Sequence, residues 1–273
     1  MEKLNLSIGI LAWNNTKTLE KTLNTYLDNG LLDIVEDITI FFQEITDKDI
    51  ALAEKYNVKY IGSPENIGIA EGFISLAKNA KEEYILLLEH DWNLLENKEI
   101  TNQRLKSGLE LISERKADVV RYRHRKNPGY PHYSFSFKGK ELEYYDEWHK
   151  CTSPHLLDSL HWLDPAEQFP DKITKDGEYF ITTSRYGNWT NNPAIYKKQF
   201  YLDVVIPLNS KGINLEKNIA EWWPRQNFII AHGEGLFSHN DFVKYPPKKK
   251  NLWNRIMEFL NKHCINKTLY EII

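Results

Sequence analysis

The chain has few of the residues that would let it be anything other than an ordinary folded protein. Two cysteines, Cys151 and Cys264, stand in 273 residues. They are too few and too far apart for a disulfide framework or a zinc ribbon, and they fit a reducing compartment. No run of about 18 apolar residues is present, as a spanning helix requires, and the opening residues lack a charged segment followed by an apolar one. The expected location is therefore the cytoplasm. Charge of one sign is also missing: 35 basic against 38 acidic side chains give a net charge of -3. That balance provides no global positive field to draw the protein onto nucleic acid. Apolar residues at 41% and charged residues at 27% exclude a wholly disordered chain. Aromatic side chains, by contrast, are plentiful. Eight Trp and 15 Tyr can build a core or stack on flat rings such as sugars and bases.

The first third alternates strand-like and helix-like segments. Leu4 to Leu11 is a short, branched apolar run, followed by Asn14-Asn15 as a cap. Leu19, Leu23, Tyr26 and Leu27 then recur at helical spacing up to the stop at Asn29-Gly30. Strands over 38–42 and 58–61 flank a helix over 49–56, and Ser63-Pro64-Glu65-Asn66 makes a turn. Ala70, Phe73, Ile74 and Ala77 stripe a third helix before Tyr84 to Leu88, which reads as a central parallel strand. A helix over 99–115, with Ile100, Leu109 and Ile112 inward, and a strand over 118–122 complete the regular part. From about His124 to Gly187 the pattern degrades into long loops rich in Tyr, Trp, His and Pro. The tail carries Pro246-Pro247-Lys248-Lys249-Lys250 and then a helix with Leu252, Trp253, Ile256, Phe259 and Leu260 on one face. These signals predict an α/β fold with a central, mostly parallel sheet flanked by helices, an irregular second half and a C-terminal helix. In such sheets ligands sit beyond the carboxyl ends of the strands.

At the end of the apolar run stands Glu89-His90-Asp91. Two carboxylates separated by one residue, leaving a buried strand together, can hold a hard divalent ion against a substrate diphosphate.

Taken in order, three segments resemble the GT-A glycosyltransferases, in particular the inverting family 2 group. They are Leu6 to Asn15 with Thr18-Leu19 following, Glu65 to Gly72 with its Asn-x-Gly, and Glu89-His90-Asp91 in place of Asp-x-Asp. The resemblance covers roughly residues 4 to 95. It implies a Rossmann-like nucleotide-sugar half over 1–95, an acceptor-side half over 96–245 and a basic, amphipathic tail over 246–273. It also implies transfer of a sugar from a UDP- or GDP-sugar to a hydroxyl of a glycan, lipid-linked or other acceptor, with Mn2+ or Mg2+ bound.

Residue by residue, the resemblance places Ala12, Trp13 and Asn14 at the nucleoside. Glu44 reads the base, or Gln43 if the strand is one residue shorter. Asn66 and Gly68 lie at the ribose or diphosphate, with His90 and Asp91 on the donor. Asp91 and Glu89 are its metal ligands, and a late histidine completes the shell, His239 ahead of His232. Trp189, Asn191 and Asn192, within Asn188 to Ala194, fall on the sugar and acceptor side. Glu216 is the expected base, with Glu221 in reserve, because Lys217 replaces the second acid of the usual pair. The tail is a second candidate surface, for peripheral contact with a membrane. Two rivals remain at this point. One is a nucleotidyltransferase, which would open on a glycine-rich basic loop that Trp13-Asn14-Asn15 lacks. The other is a catalytically silent carbohydrate- or nucleotide-binding protein, favoured if Lys217 and Glu89 mark decay.

Overall fold

A computed structural model describes residues 3–129, 165–209, 219 and 222–239. Among these residues ten strands form one sheet. The first four are β1 (Leu4–Trp13), β2 (Val35–Gln43), β3 (Lys59–Ser63) and β4 (Tyr84–Glu89), all parallel. Beyond β4 lies β9 (Ala194–Lys197), antiparallel to both β4 and β6 (Val119–Arg123), and β10 (Ile229–His239) runs parallel to β6. The remaining strands, β5 (Trp92–Leu94), β7 (Thr174–Asp176) and β8 (Tyr179–Thr183), pair antiparallel. The order across the sheet is β3-β2-β1-β4-β9-β6-β10-β8-β7, with β5 pairing β10. The sheet is thus mostly parallel, as expected, and carries antiparallel members in its second half.

Both faces are covered because the central strands are apolar on both sides. Leu6, Ile8 and Ile10 of β1 join Leu86 and Leu88 of β4 in one core. Leu19, Leu23 and Tyr26 of α1 (Thr16–Asp28) and Leu105 and Ile112 of α5 (Lys98–Ser113) close that core from above. On the other face Leu11, Ile85 and Leu87 meet Phe73, Ile74, Leu76 and Ala77. These four belong to the helix Gly68–Asn79, numbered α4 after α2 (Leu31–Ile34) and α3 (Asp47–Lys55). Each fully buried Leu, Ile or Phe contributes about 1.5–3 kcal/mol, so the two cores together fix the layer order.

The helix signals act where the sequence placed them. Asn15 caps α1, its side chain accepting from Thr18 N at 3.2 Å, and Gly30 follows the helix at φ 70°. Leu27 departs from expectation: it lies 55% exposed although it follows the apolar stripe. Within the stretch expected to be loops, β7 and β8 form a hairpin, and a short helix, α6 (Pro165–Gln168), precedes it. A further helical run, Lys198–Phe200, a π-helical turn Tyr201–Val205 and Ile206–Asn209, packs on the second core. The predicted tail, 246–273, lies outside the described residues. Among the described residues no helix is long and apolar enough to cross a membrane.

Candidate active site

The order of strand addition reverses between β1 and β4: β2 and β3 are added on one side of β1, β4 on the other. That is the switch point where a crevice opens beyond the carboxyl ends. Most of the sequence-predicted donor residues come out there. Trp13 pairs with Gln43 and Leu11 with Glu89, so the ends of β2, β1 and β4 lie side by side.

At the end of β1, Ala12 is buried and Trp13 is 50% exposed. The Trp13 indole Nε1 donates to Glu44 Oε2 at 2.7 Å, and Asn14 Nδ2 donates to the same oxygen at 3.0 Å. Asn14 and Glu44 both adopt left-handed backbone, φ 50° and 53°, which turns each chain over the sheet edge. Gln43, the alternative to Glu44, is buried instead. Its side-chain oxygen accepts from Ile67 N and its amide donates to Gly68 O, both at 2.8 Å. That pair of hydrogen bonds fixes the loop entering α4. Asn66 Oδ1 accepts from Gly68 N at 2.9 Å, and Gly68 sits at φ 86° with open space where a Cβ would point.

At the end of β4, Glu89 is half-buried, and His90 and Asp91 form the turn into β5. Tyr26 of α1 anchors this turn, its hydroxyl donating to Trp92 O at 2.7 Å. His239, the last residue of β10, pairs with Trp92 across β5, and its Nε2 stands 3.1 Å from Asp91 Oδ2. Two sequence-predicted cation ligands, 148 positions apart by their numbers, therefore touch. The other carboxylate oxygen, Asp91 Oδ1, is buried without a hydrogen-bond partner. Burial pushes this carboxyl up, yet the hydrogen bond and charge of His239, with His90 nearby, outweigh it and hold it below the usual range. Burial likewise holds the His90 imidazole below its ordinary value, against the attraction of Asp91.

Among the described residues no group of three or more His, Cys, Asp or Glu is arranged to hold a metal. Asp91 and His239 nonetheless touch beside a carboxylate oxygen that no protein group bonds, and a carboxylate with an imidazole is a donor pair whose chemistry suits a divalent ion. Two protein ligands suffice where substrate phosphates and waters complete the shell.

His232, the second histidine candidate, is buried within β10 and faces the Arg123 carbonyl, with Nε2 at 2.9 Å. The segment preceding β9 also reaches this edge, because Ala194 pairs with Leu87 and with Arg121. Asn191 and Asn192 are half-buried there, Asn192 N donating to Thr190 Oγ1 at 3.1 Å. Trp189 packs in the second core, edge to face on Trp223 at 4.9 Å. Glu216 and Glu221 lie outside the described residues. Sequence reasoning passes over Arg121 and Arg123 of β6, both buried; alternate arginines on a strand ending at this edge are the available signal.

With this geometry established, known structures show what the architecture shares. Over 88% of this chain, at 16% identity and a TM-score of 0.53, it matches a crystal structure of S. aureus TarS 1-349, and it spans 60% of that chain. A second TarS crystal structure matches at 15% identity and the same TM-score, over 88% of this chain and 37% of that one. The likeness is one of fold. A looser overlap, at a TM-score of 0.38 and 12% identity, covers 46% of this chain and 37% of the mannosyltransferase PcManGT from Pyrobaculum calidifontis, solved in complex with GDP-Man and Mn2+. No family model and no curated protein matches the sequence.

Proposed function

We propose that the chain is a glycosyltransferase that moves a sugar from a nucleotide-diphosphate donor to an acceptor hydroxyl. The observation that carries this reading is the Asp91–His239 contact beside a bare carboxylate oxygen, at the switch point of a sheet whose neighbouring edge presents Trp13, Asn14 and Glu44. An exposed indole fixed by its Nε1 offers a flat face for a base, and Glu44 offers a fixed carboxylate beside it. Gly68, with open space over it, lets a diphosphate approach the start of α4 closely.

Asp91 and His239 would hold a divalent cation, with Glu89 at the same strand end. When bound, that ion neutralises charge developing on the departing diphosphate. The imidazole in the pair favours Mn2+ over Mg2+, which prefers an all-oxygen shell. Asn191 and Asn192 supply amides suited to sugar hydroxyls. Glu216, with Glu221 in reserve, takes the proton from the acceptor hydroxyl as that oxygen attacks the anomeric carbon. The bond from that carbon to the diphosphate oxygen breaks, its electron pair leaves with the diphosphate, and configuration inverts.

The test is thermal-shift screening of UDP and GDP with and without manganese, followed by transfer assays with the matching nucleotide sugars. A ligand that binds only the native state raises its melting temperature. Manganese-dependent stabilisation that Asp91→Ala abolishes, with transfer lost and the fold kept, supports the reading. Full turnover by Asp91→Ala in manganese buffer rejects it, and nucleotide binding with no turnover of any donor favours the silent binding protein.

A further inference from the structure

We infer that Arg123 is a positioning residue that sets the place of His239, and through it the Asp91–His239 pair. The inference rests on the reading of that pair as a cation seat. Arg123 is the last residue of β6 and is 2% exposed. Its Nε donates to Pro128 O at 2.9 Å and a terminal nitrogen to Gly129 O at 3.4 Å, so the guanidinium fork grips two successive carbonyls of one turn. The same Pro128 oxygen accepts from His239 N at 3.2 Å, and Gly129 forms a parallel bridge with His239. A Cβ on Gly129, at φ 73°, would land on the His239 carbonyl, so the turn and the strand end are in direct contact. The backbone of His239 is therefore held by a turn that Arg123 holds.

The ring is reached by a second route. The Arg123 guanidinium lies 5.4 Å from the Trp92 ring centroid, and Trp92 packs on the His239 ring at 4.7 Å. The base of this arrangement is tight as well. His232 Nε2 contacts the Arg123 carbonyl at 2.9 Å, and Gly235 at φ 79° leaves room for that carbonyl where a Cβ would strike it. A planar fork suits this task in a way an ammonium does not: lysine is a point charge on a flexible stem and lacks the rigid, spaced donors of the guanidinium. Residues that orient a metal ligand in this manner typically alter affinity 10- to 100-fold when changed.

The experiment is a double-mutant cycle read by manganese binding, using paramagnetic resonance titration of Mn2+ with UDP present and, separately, with GDP. Four full-length proteins are compared: wild type, Arg123→Lys, His239→Ala and the double variant. Arg123→Lys should raise the manganese Kd roughly tenfold. In the His239→Ala background the same change should add little, because the group it positions is gone. A merely structural arginine would penalise both backgrounds alike. Wild-type affinity in Arg123→Lys, or a penalty carried undiminished into the double variant, overturns the inference. Absence of manganese binding by wild type with either nucleotide overturns instead the cation-seat reading beneath it. Should Arg123→Lys fail to fold, Arg123→Gln, which keeps a planar polar end but loses the two-donor fork, takes its place in the cycle with the same outcomes.

Discussion

Trp13 and Glu44 meet across the ends of β1 and β2, indole Nε1 to carboxylate Oε2 at 2.7 Å, with Asn14 Nδ2 on the same oxygen at 3.0 Å. One acceptor atom thus ties together the two left-handed turns that carry the chain over the sheet edge. Left-handed backbone costs a non-glycine residue about 1–2 kcal/mol, and the shared oxygen offsets part of that cost.

Replacing Glu44 by Gln keeps the size but puts an amide where both donors converge on a charged acceptor. Charge-assisted bonds are worth about 1.5–3 kcal/mol, and loss of one such interaction at the base corresponds to roughly 10- to 150-fold in affinity. Glu44→Gln is expected to weaken binding of the preferred nucleoside diphosphate by about that factor in calorimetric titration. An unchanged Kd would remove Glu44 from the nucleotide site.

Two glycines four residues apart on α4 separate binding from packing. Gly68 has φ 86° and no atom within 4 Å of the point where a methyl group would stand, so Gly68→Ala meets only the backbone penalty of about 1 kcal/mol. At Gly72 a Cβ would stand 2.5 Å from Leu11 Cδ1 and 3.1 Å from Gln43 Nε2, so two buried side chains must shift, at about 1–3 kcal/mol. In urea unfolding Gly72→Ala should lose more stability than Gly68→Ala. In donor binding the order should reverse, since Gly68 faces the open space. A Gly68→Ala protein with wild-type donor affinity would place the diphosphate elsewhere.

The first half of this architecture was readable because its signals are local. Leu6, Ile8 and Ile10 alternate with small or apolar partners, Asn15 caps within three residues, and β4 ends where Glu89 interrupts an apolar run. The second half is built from pairings that sequence spacing does not report. Leu87 finds Ala194, and Val119 finds Ile230. β10 was visible only as two histidines and two glycines, because its pairing with β6 shifts register between His232 and Phe237 and Gly235 turns it at φ 79°. The Asp91–His239 contact depends on that bend, so the family resemblance singles out His239 while only the fold brings it to Asp91. Arg123 is silent in the sequence for the same reason: its targets are main-chain carbonyls of a turn, which carry no side-chain signature.

For the proton-accepting step, the position of Glu216 before Lys217 makes it the first candidate and Glu221 the second. Glu216→Gln is expected to leave donor binding intact and to lower kcat by about 10²-fold or more, the usual scale for a positioned base. Unchanged turnover in Glu216→Gln together with a loss in Glu221→Gln would transfer the role.

At the amino edge, away from the site, Asp37 gathers the starts of four strands. Its Oδ2 accepts from Ser7 Oγ at 2.6 Å and from Lys81 N at 2.9 Å, and its Oδ1 pairs with Lys59 Nζ at 2.5 Å. Burial pushes the carboxyl up, but Lys59, Ser7 and the Lys81 amide outweigh it, so the folded pKa lies below the unfolded one. A depressed pKa contributes stability that is complete above the unfolded value, near 4 by the usual Asp range of about 3.9, and is lost as pH falls through the folded value. Asp37→Asn leaves the half-exposed Lys59 without its charge partner and should cost about 1–3 kcal/mol at pH 7. In a protein of this size that is on the order of 2–4 °C per kcal/mol in melting temperature. The gap between variant and wild type should be constant from pH 7 down to about 4 and narrow below that, as pH falls from the unfolded value through the lower folded one. A gap still constant below the unfolded value would show that the network acts by packing alone, and a loss of donor affinity in Asp37→Asn at low temperature would show that the two edges of the sheet are coupled.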